Sequence, residues 1–325
     1  MSARIYDCLS SGIVVADHIC DPIDHVPAPG ELVTTARMDL SIGGCAANVA
    51  VNLTKLGFKV GVAGTVGNDV LGRFVRESLQ ATGVCCQHLR ESPTRDTSST
   101  LVINTRGQDR RFIHSIGAND ELTGKELTPR LLRECKILYL GGYCLVETLT
   151  AANVAAVFKA ARSAGVTTLL DVVIPGPGDY WPMLEPVLPV TDFFFPNEDE
   201  GQLITACDDP LQQAEAFRHS GVKTVVVTCG HDGAVLADDC QTLRASSYPV
   251  NFVDGTGSGD AFVAGYIYGL LSHAETKECL RYGSALGASC VRASGATTGV
   301  FTSSELEAFV ESQELPVTRL GSPAN

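Results

Sequence analysis

The chain has 325 residues, with 24 Lys and Arg against 37 Asp and Glu, which gives a formal net charge of −13 at pH 7. This length predicts two domains or one large α/β domain, and the 45% of hydrophobic and 19% of charged residues predict a large buried core and exclude a disordered chain. Such an acidic chain is poorly suited to nucleic acid, so any anion must be held by a local device, in the first place by backbone amides.

The sequence also predicts the compartment. Residues 1–17 lack the apolar stretch and cleavage site of a signal peptide, and no run reaches the roughly 18 apolar residues of a membrane span. The 12 cysteines are scattered without a C-x-x-C pair, which argues against a zinc ribbon or a thioredoxin-like site. We therefore expect a cytoplasmic protein with reduced cysteines and no membrane partner.

Strand-like apolar runs alternate with segments of helical period, which predicts a parallel sheet covered by helices. The Pro- and Gly-rich residues 21–31 indicate a turn-rich excursion from that sheet, and a second excursion is expected around the turn at 105–107. In chain order we predict a strand over 5–15, a helix over 46–56, a strand over 59–65, a helix over 71–79, strands over 98–104, 111–115, 137–140, 167–173, 192–195 and 222–228, a helix between 140 and 167, a hairpin at 232–233 into 234–237, and helices over 260–271 and 276–291.

A glycine-rich loop before the penultimate predicted helix carries the strongest chemical signal. It runs Asp254-Gly255-Thr256-Gly257-Ser258-Gly259-Asp260. Alternating glycines at a helix start allow several N–H groups to point at one spot, where the helix dipole adds positive charge, and this predicts an anion hole. Asp260 would repel a phosphate but could take a proton from an attacking hydroxyl beside it. The alternative, an Asp that caps a flexible turn, stays open on the loop alone.

Five segments in order along the chain resemble motifs of the ribokinase family, the PfkB carbohydrate kinases. They are Gly43-Gly44 with Asn48, Gly64-x-Val66-Gly67-x-Asp69-x-x-Gly72, Pro196-Asn197-x-x-Glu200, Thr228-x-Gly230-x-x-Gly233, and Asp254-x-Thr256-Gly257-x-Gly259-Asp260. The resemblance implies an α/β fold with a ribokinase-like three-layer α/β/α core, one kinase domain over 1–325, and a small β-sheet lid formed by about 15–40 and 95–117. It also implies ATP-dependent phosphorylation of a hydroxyl on a small sugar-like substrate.

Site roles follow from the same resemblance. Asp260 would be the general base, and the amides of Gly257, Ser258 and Gly259 the anion hole. Mg²⁺ would be organised by Asn197 and Glu200 through water molecules, since magnesium keeps much of its hydration shell. The alternative for this acidic segment is that the two residues only cap a solvated helix start. The nucleotide would meet Thr228, Gly230 and Gly233. A monovalent cation, K⁺, would be held by Asp254 and Thr256 with carbonyls near Cys290, Ala293 and Gly295, although Gly255 departs from the commoner Thr.

On the sugar side, the resemblance implies that Asp17, Gly43, Gly44 and Asn48 bind the acceptor. Val15 and Cys45 stand where ribokinases usually carry Asn and Lys, which argues against ribose itself. Arg110 and Arg111 could read an acidic group of the substrate or simply face solvent. Lid sheets of this family often pair between subunits, so a homodimer through the lid is expected.

Three other functions are alternatives. A nucleoside kinase of the same family would place aromatic lid residues on the base, and a catalytically inactive sugar-binding protein would not need Asp260 with its glycines. A dinucleotide-binding oxidoreductase is disfavoured because no G-x-G-x-x-G follows the first predicted strand. The sequence therefore favours a sugar kinase, with a nucleoside kinase as the alternative.

Overall fold

The structure is a computed structural model that describes residues 4–108 and 110–320. Its strands are, in chain order, β1 (Tyr6–Gly12), β2 (Val15–Cys20), β3 (Met38–Gly43), β4 (Val60–Gly67), β5 (Cys85–Ser92), β6 (Ser99–Ile103), β7 (Arg111–Ser115), β8 (Cys135–Tyr143), β9 (Thr167–Val172), β10 (Phe193–Phe194), β11 (Thr224–Thr228), β12 (Ala234–Ala237), β13 (Thr242–Ala245) and β14 (Val317–Leu320).

The helices begin at residues whose side chains or backbone suit a helix start. Asp69 accepts a hydrogen bond from the Gly72 amide, and Thr150 caps its helix in the same way. The helices are α1 (Cys45–Lys55), α2 (Val70–Ala81), α3 (Pro129–Leu132), α4 (Ala151–Ser163), α5 (Trp181–Leu184), α6 (Glu198–Thr205), α7 (Pro210–His219), α8 (Ser258–Leu271), α9 (Thr276–Cys290) and α10 (Ser303–Ser312).

Ten strands form the main sheet, in the order β14-β13-β12-β11-β10-β9-β8-β1-β4-β5. Seven neighbouring strands of this sheet run parallel, namely β5, β4, β1, β8, β9, β10 and β11. The remaining strands β12, β13 and β14 are each antiparallel to the strand before them. Successive residues of a strand point to opposite faces, and accordingly Ile137 packs in one apolar cluster with α1 and α8 while Leu138 packs in a second cluster with α4 and α7. The three-layer α/β/α prediction is confirmed.

A second sheet stands apart from the first, with strand order β3-β2-β6-β7. Strand β2 pairs antiparallel with β3 and parallel with β6, and β6 pairs antiparallel with β7. The two predicted excursions therefore meet in one four-stranded sheet. No helix in the described part of the chain is long and apolar enough to cross a membrane.

The first predicted strand is wrong in one respect, because residues 5–15 do not form a single strand. Strand β1 ends at Gly12, which has φ 126° and lies so close to the Gly141 carbonyl that a Cβ would stand 1.9 Å from its oxygen. The chain then crosses into the second sheet as β2. The side chain of Asn119 holds this crossing by accepting from the Val14 amide and donating to the Val14 carbonyl, both at 3.1 Å.

Other strands and helices were not predicted. Strands β3, β5, β13 and β14 and helix α10 carry mixed polar sequences, for example Cys-Cys-Gln-His-Leu-Arg-Glu-Ser in β5. The four strands lie at or near sheet edges, where one face meets solvent and packing is irregular, so their period is obscured. All twelve cysteines lie within the described residues and are free.

Candidate active site

The candidate site lies where the carboxyl ends of the parallel strands meet the starts of α1 and α8, the usual position of ligands in open α/β sheets. Asn48, in the first turn of α1, donates from Nδ2 to Oδ2 of Asp260 at 2.8 Å. These residues are 212 positions apart in the sequence. The fold therefore brings the predicted base and a predicted sugar-binding residue into direct contact.

Asp260 is a partly buried carboxylate in the first turn of α8. Burial raises its pKa, and hydrogen bonds from Asn48 and the Cys45 thiol partly oppose that shift. The side-chain oxygen of Asn48, Oδ1, is buried without a hydrogen-bond partner in the structure. A raised pKa makes the ionised carboxylate a stronger base, and the unpaired amide oxygen beside it can accept a hydrogen bond from a ligand hydroxyl.

Two residues beside Asp260 were not predicted as site residues, Cys45 and Asp171. Cys45, Asp171 and Asp260 place one ligand atom each within 4.8 Å of one another, and the Tyr139 hydroxyl donates to Asp171 at 2.7 Å. Burial raises the pKa of Asp171 well above its ordinary value, and the charges of Asp260 and Glu200 raise it further. Asp171 directly precedes the end of an apolar strand, and a carboxylate there was the signal that could have identified it.

Helix α8, which follows the glycine-rich loop, has no side-chain cap at its N-terminus in the described structure. Gly257 is the N-cap of α8 with φ 75°, and no side chain of the described residues caps the helix. A Cβ on Gly257 would stand 2.4 Å from Cβ of Ala296, whereas a Cβ on Gly259 would meet nothing within 4 Å. The amide of Ser258 donates to the Gly255 carbonyl at 3.2 Å. The helix start thus presents its dipole to open space at Gly259, as an anion site requires.

Asn197 and Glu200 form a capping box at the start of α6. The Glu200 amide donates to Asn197 Oδ1 at 2.8 Å, and the Asn197 amide donates to Glu200 Oε2 at 3.0 Å. Burial raises the pKa of Glu200 to about 7, and the negative charge of Asp260 contributes to this rise. Asn197 also forms a parallel β-bridge with Thr228. The capping geometry anticipated for this segment is present, and it leaves Glu200 in the electrostatic field of Asp260.

A pocket of about 640 Å³ adjoins the start of α8. It is lined by predicted nucleotide-binding residues and by the anion loop: Thr228, Gly230, Gly233, Ser258 and Gly259 are among the lining residues. Two hydroxyls of the lining, Tyr248 OH and Ser284 Oγ, are buried without a hydrogen-bond partner in the structure. Buried polar groups are normally paired, so these hydroxyls suit a ligand that supplies their partners.

The second sheet carries a row of polar residues on one face. Ser41, Asp17, Thr100 and His114 lie directly opposite one another on β3, β2, β6 and β7, so their side chains share that face. Thr100 Oγ1 lies 3.0 Å from Nδ1 of His114, whose Nε2 is buried without a partner in the structure. Burial raises the pKa of Asp17 to about 6, with a further contribution from the charge of Asp260.

The glycine pair before α1 allows this row to approach the main sheet. A Cβ on Gly43 would stand 1.9 Å from Asp17 Oδ2, and a Cβ on Gly44, at φ 84°, would stand 2.6 Å from the Ile13 carbonyl oxygen. Either side chain would displace its neighbour, since real Cβ atoms do not approach so closely. Asp17 itself lies in the middle of β2, within the 15–40 segment predicted to leave the main sheet.

The residues predicted to hold a monovalent cation also come together. The Asp254 carboxylate accepts from the Thr256 amide (3.0 Å), the Thr256 hydroxyl (2.8 Å) and the Gly295 amide (3.0 Å). The Cys290 thiol contacts the Thr256 carbonyl at 3.3 Å, and the Cys290 carbonyl accepts from the Ala293 amide at 3.4 Å. Arg110 joins this group from the second sheet, with Nη1 3.2 Å from Asp254 Oδ1. Arg111 instead donates to Thr105 and Gln108.

Comparison with known proteins agrees with this architecture. The family profile described as "pfkB family carbohydrate kinase" matches residues 7–302. The chain is 24% identical over 307 residues to the ribokinase of Haemophilus influenzae, covering 92% of this chain and 97% of that protein. It is similar to the structure of Arabidopsis thaliana ribokinase complexed with ribose and ATP, with a TM-score of 0.81 at 24% identity, covering 94% of this chain and 98% of the other. An E. coli protein solved in complex with ATP and Mg²⁺ is similar at a TM-score of 0.81 and 24% identity, over 96% and 100% of the two chains.

Proposed function

The chain belongs to the PfkB family of carbohydrate kinases, and on that premise we propose that it transfers the γ-phosphoryl group of ATP to a hydroxyl of a neutral sugar, with Asp260 as general base. The observation that carries this proposal is the position of the Asp260 carboxylate. It lies in the uncapped first turn of α8, beside the 640 Å³ pocket, and is held by Asn48 at 2.8 Å. A base and an anion-binding helix end are thus next to each other.

In the proposed step, Asp260 takes the proton of the sugar hydroxyl. The oxygen of that hydroxyl attacks the γ-phosphorus of ATP while the bond from this phosphorus to the leaving ADP oxygen breaks. Asn48 fixes the orientation of the carboxylate, and the partly buried site favours proton capture by raising the pKa of Asp260. The amides at the start of α8, in the stretch Gly257 to Gly259, stabilise charge on the transferred group.

ATP would occupy the pocket that reaches from Thr228 and Gly230 to Gly259. Its lining is mainly apolar toward Phe262 and Val291, which suits a base. The unpaired hydroxyls of Tyr248 and Ser284 would then find partners on the nucleotide. The relative solved with ATP and Mg²⁺ supports the choice of nucleotide.

The acidic cluster fits Mg²⁺. The charge of Asp260 raises the pKa of both Asp171 and Glu200, and the charge of Glu200 raises that of Asp171; carboxylate oxygens are the ligands that a hard dication prefers. Glu200, with Asn197 beside it, and Asp171 would hold the ion. When bound, Mg²⁺ would neutralise charge on the ATP phosphates, while the carboxylates of the chain keep it next to the pocket.

The acceptor is proposed to be uncharged because the sugar-side carboxylates lack basic neighbours. Among the described residues, no Lys or Arg contributes to the pKa of Asp17 or Asp260. A sugar acid or sugar phosphate would therefore meet two carboxylates without compensation. Asp17, Thr100, His114 and Asn48 offer acceptors and donors that suit the hydroxyls of a neutral sugar.

The second sheet is proposed to act as a lid within one kinase domain, since its polar row faces the same region as Asp260. Its opposite face carries Leu40, His18, Leu101 and Ile113 directly opposite one another, three of them apolar. Met38 and Ile113 on that face are 60% and 63% exposed. Apolar residues clustered on an exposed sheet face favour association, so we propose a homodimer through the outer face of the lid.

Steady-state turnover with ATP and four substrate panels tests the function: neutral sugars, sugar acids, sugar phosphates and nucleosides. Asp260→Asn is expected to lower turnover by about 10²–10⁴-fold while nucleotide binding, measured by calorimetry, is retained. Asp24→Asn is the matched control, because Asp24 is exposed and pairs only with Arg106 in the described structure. Near-wild-type turnover of Asp260→Asn would refute the role of the base, and turnover confined to nucleosides would establish the alternative acceptor class.

A further inference from the structure

Arg110 links the second sheet to the loop that precedes α8. Its Nη1 lies 2.6 Å from Thr256 Oγ1 and 3.2 Å from Asp254 Oδ1. The Arg110 and Asp254 side chains are only 26% and 10% exposed, so water screens this ion pair weakly. Gly255 lies directly beneath the guanidinium, since a Cβ there would stand 3.2 Å from Nη2. The absence of a side chain at position 255 thus permits the contact.

The Asp254 carboxylate is fully engaged in this arrangement. It receives hydrogen bonds from the Thr256 amide, the Thr256 hydroxyl and the Gly295 amide in addition to the guanidinium. Burial alone would raise the pKa of Asp254, but these hydrogen bonds and the charge of Arg110 hold it below its ordinary value. The loop therefore contains an ionised carboxylate whose counter-charge comes from the chain itself.

Several oxygen atoms expected to hold a monovalent cation already have partners within the chain. The Asp254 carboxylate and the Thr256 hydroxyl bond each other and Arg110, and the Cys290 carbonyl accepts from the Ala293 amide at 3.4 Å. The Cys290 thiol lies 3.3 Å from both the Thr256 and the Ala296 carbonyl oxygens, and so stands between two potential ligands. A cation site needs several oxygens free to replace water, and oxygens that already accept hydrogen bonds or face a guanidinium are not free. The residues present do not fit K⁺.

We propose that the guanidinium of Arg110 is the resident cation of the 254–260 loop, so that phosphoryl transfer needs no monovalent cation and the loop is ordered by the second sheet. The proposal rests on the sugar-kinase function given above. Arg110 acts as a positioning residue: it holds Asp254 and Thr256, and these lead directly into the amides at the start of α8 and into Asp260. Closure of the second sheet over the site would thereby place the Arg110 guanidinium close to the anion-binding amides of residues 257–259.

The first test compares K⁺, Na⁺ and tetramethylammonium chlorides at constant ionic strength. The wild-type enzyme is expected to show kcat/KM values within about twofold of each other, and melting temperatures within about 1 °C, because no specific cation binds the folded state. Activation by K⁺ of about tenfold or more, or a K⁺-specific rise in melting temperature, would overturn the proposal. The melting measurement needs no substrate, so it decides the matter even if no sugar in the panel is phosphorylated.

The second test changes the charge at position 110. Arg110→Gln is expected to lose about 10²-fold in kcat, as small misplacements of catalytic groups do, whereas Arg110→Lys keeps the charge and should retain clearly more activity. Arg111→Gln is the matched control, because Arg111 bonds only Thr105 and Gln108 in the described structure. Equal losses in the Gln and Lys variants at position 110, or Arg110→Gln activity equal to that of Arg111→Gln, would show that the charge has no such role. Near-ultraviolet circular dichroism verifies that each variant is folded.

Discussion

Asp17 provides a test in which stability and function change in opposite directions. The residue is 8% exposed, and burial raises its pKa from an ordinary value of 3.8 to about 6. The difference corresponds to about 3 kcal/mol of unfavourable free energy when the group is ionised in the folded protein. Asp17 is protonated in both states at low pH, so this cost grows as the pH rises through 4 to 6 and is constant above.

Replacement of Asp17 by Asn keeps the shape and removes the charge. The free energy of unfolding of the variant is expected to exceed that of the wild type by about 3 kcal/mol at pH 8 and by about half as much at pH 5. The same variant should lose about 10- to 10²-fold in kcat/KM for the sugar, because Asn accepts hydrogen bonds from hydroxyls less strongly than a carboxylate does. Urea titrations at the two pH values, without ligands, measure the first effect.

Asp24→Asn is again the matched control, since the Asp24 side chain is 84% exposed. Its effect on the free energy of unfolding should not differ between pH 5 and pH 8. A stability gain at Asp17 that is the same at both pH values, or a loss of stability at pH 8, would refute the reasoning that burial of an unpaired charge dominates at this position.

Three further outcomes are expected. Tyr139→Phe removes the 2.7 Å hydrogen bond to Asp171 and leaves a buried carboxylate under-paired, so thermal or urea unfolding should show a loss of about 1–3 kcal/mol; an unchanged stability would contradict the buried pairing. Asn119→Ala leaves both backbone groups of Val14 without their side-chain partner, and a loss of about 2 kcal/mol is expected, with hydrogen exchange at Val14 as a local measure. Met38→Glu, on the outer face of the second sheet, should convert a dimer to a monomer in sedimentation velocity without loss of the folded circular dichroism spectrum; an unchanged mass would argue against that face as the interface.

Much of the candidate site could be predicted because its parts are local. A glycine at position 257 with a positive φ, a helix that starts at Ser258 and a carboxylate two residues later are all determined within one short segment. The capping box of Asn197 and Glu200 is likewise a matter of spacing along one helix start. Short-range geometry of this kind follows from residue type and spacing, since few backbone conformations satisfy it.

Other parts depended on where the chain folds back. Residues 5–15 are apolar throughout, and hydrophobicity alone does not reveal that the chain changes sheets after Gly12, because a buried run is compatible with either sheet. The change depends on the approach of Gly12 to Gly141 and on the bonds from Asn119 to Val14. Consequently the first strand ends at Gly12 rather than at residue 15 as predicted.

The sequence indicated an anion site built from backbone amides in a particular loop of an acidic chain, because glycine spacing and a helix start are local properties. The surroundings of that loop depend on how the chain folds. It brought Cys45 and Asp171 within 4.8 Å of Asp260, and it set Arg110 against Asp254 across 144 positions of sequence. Electrostatic energies depend on distance in space and on burial, and neither quantity can be obtained from the order of residues along the chain.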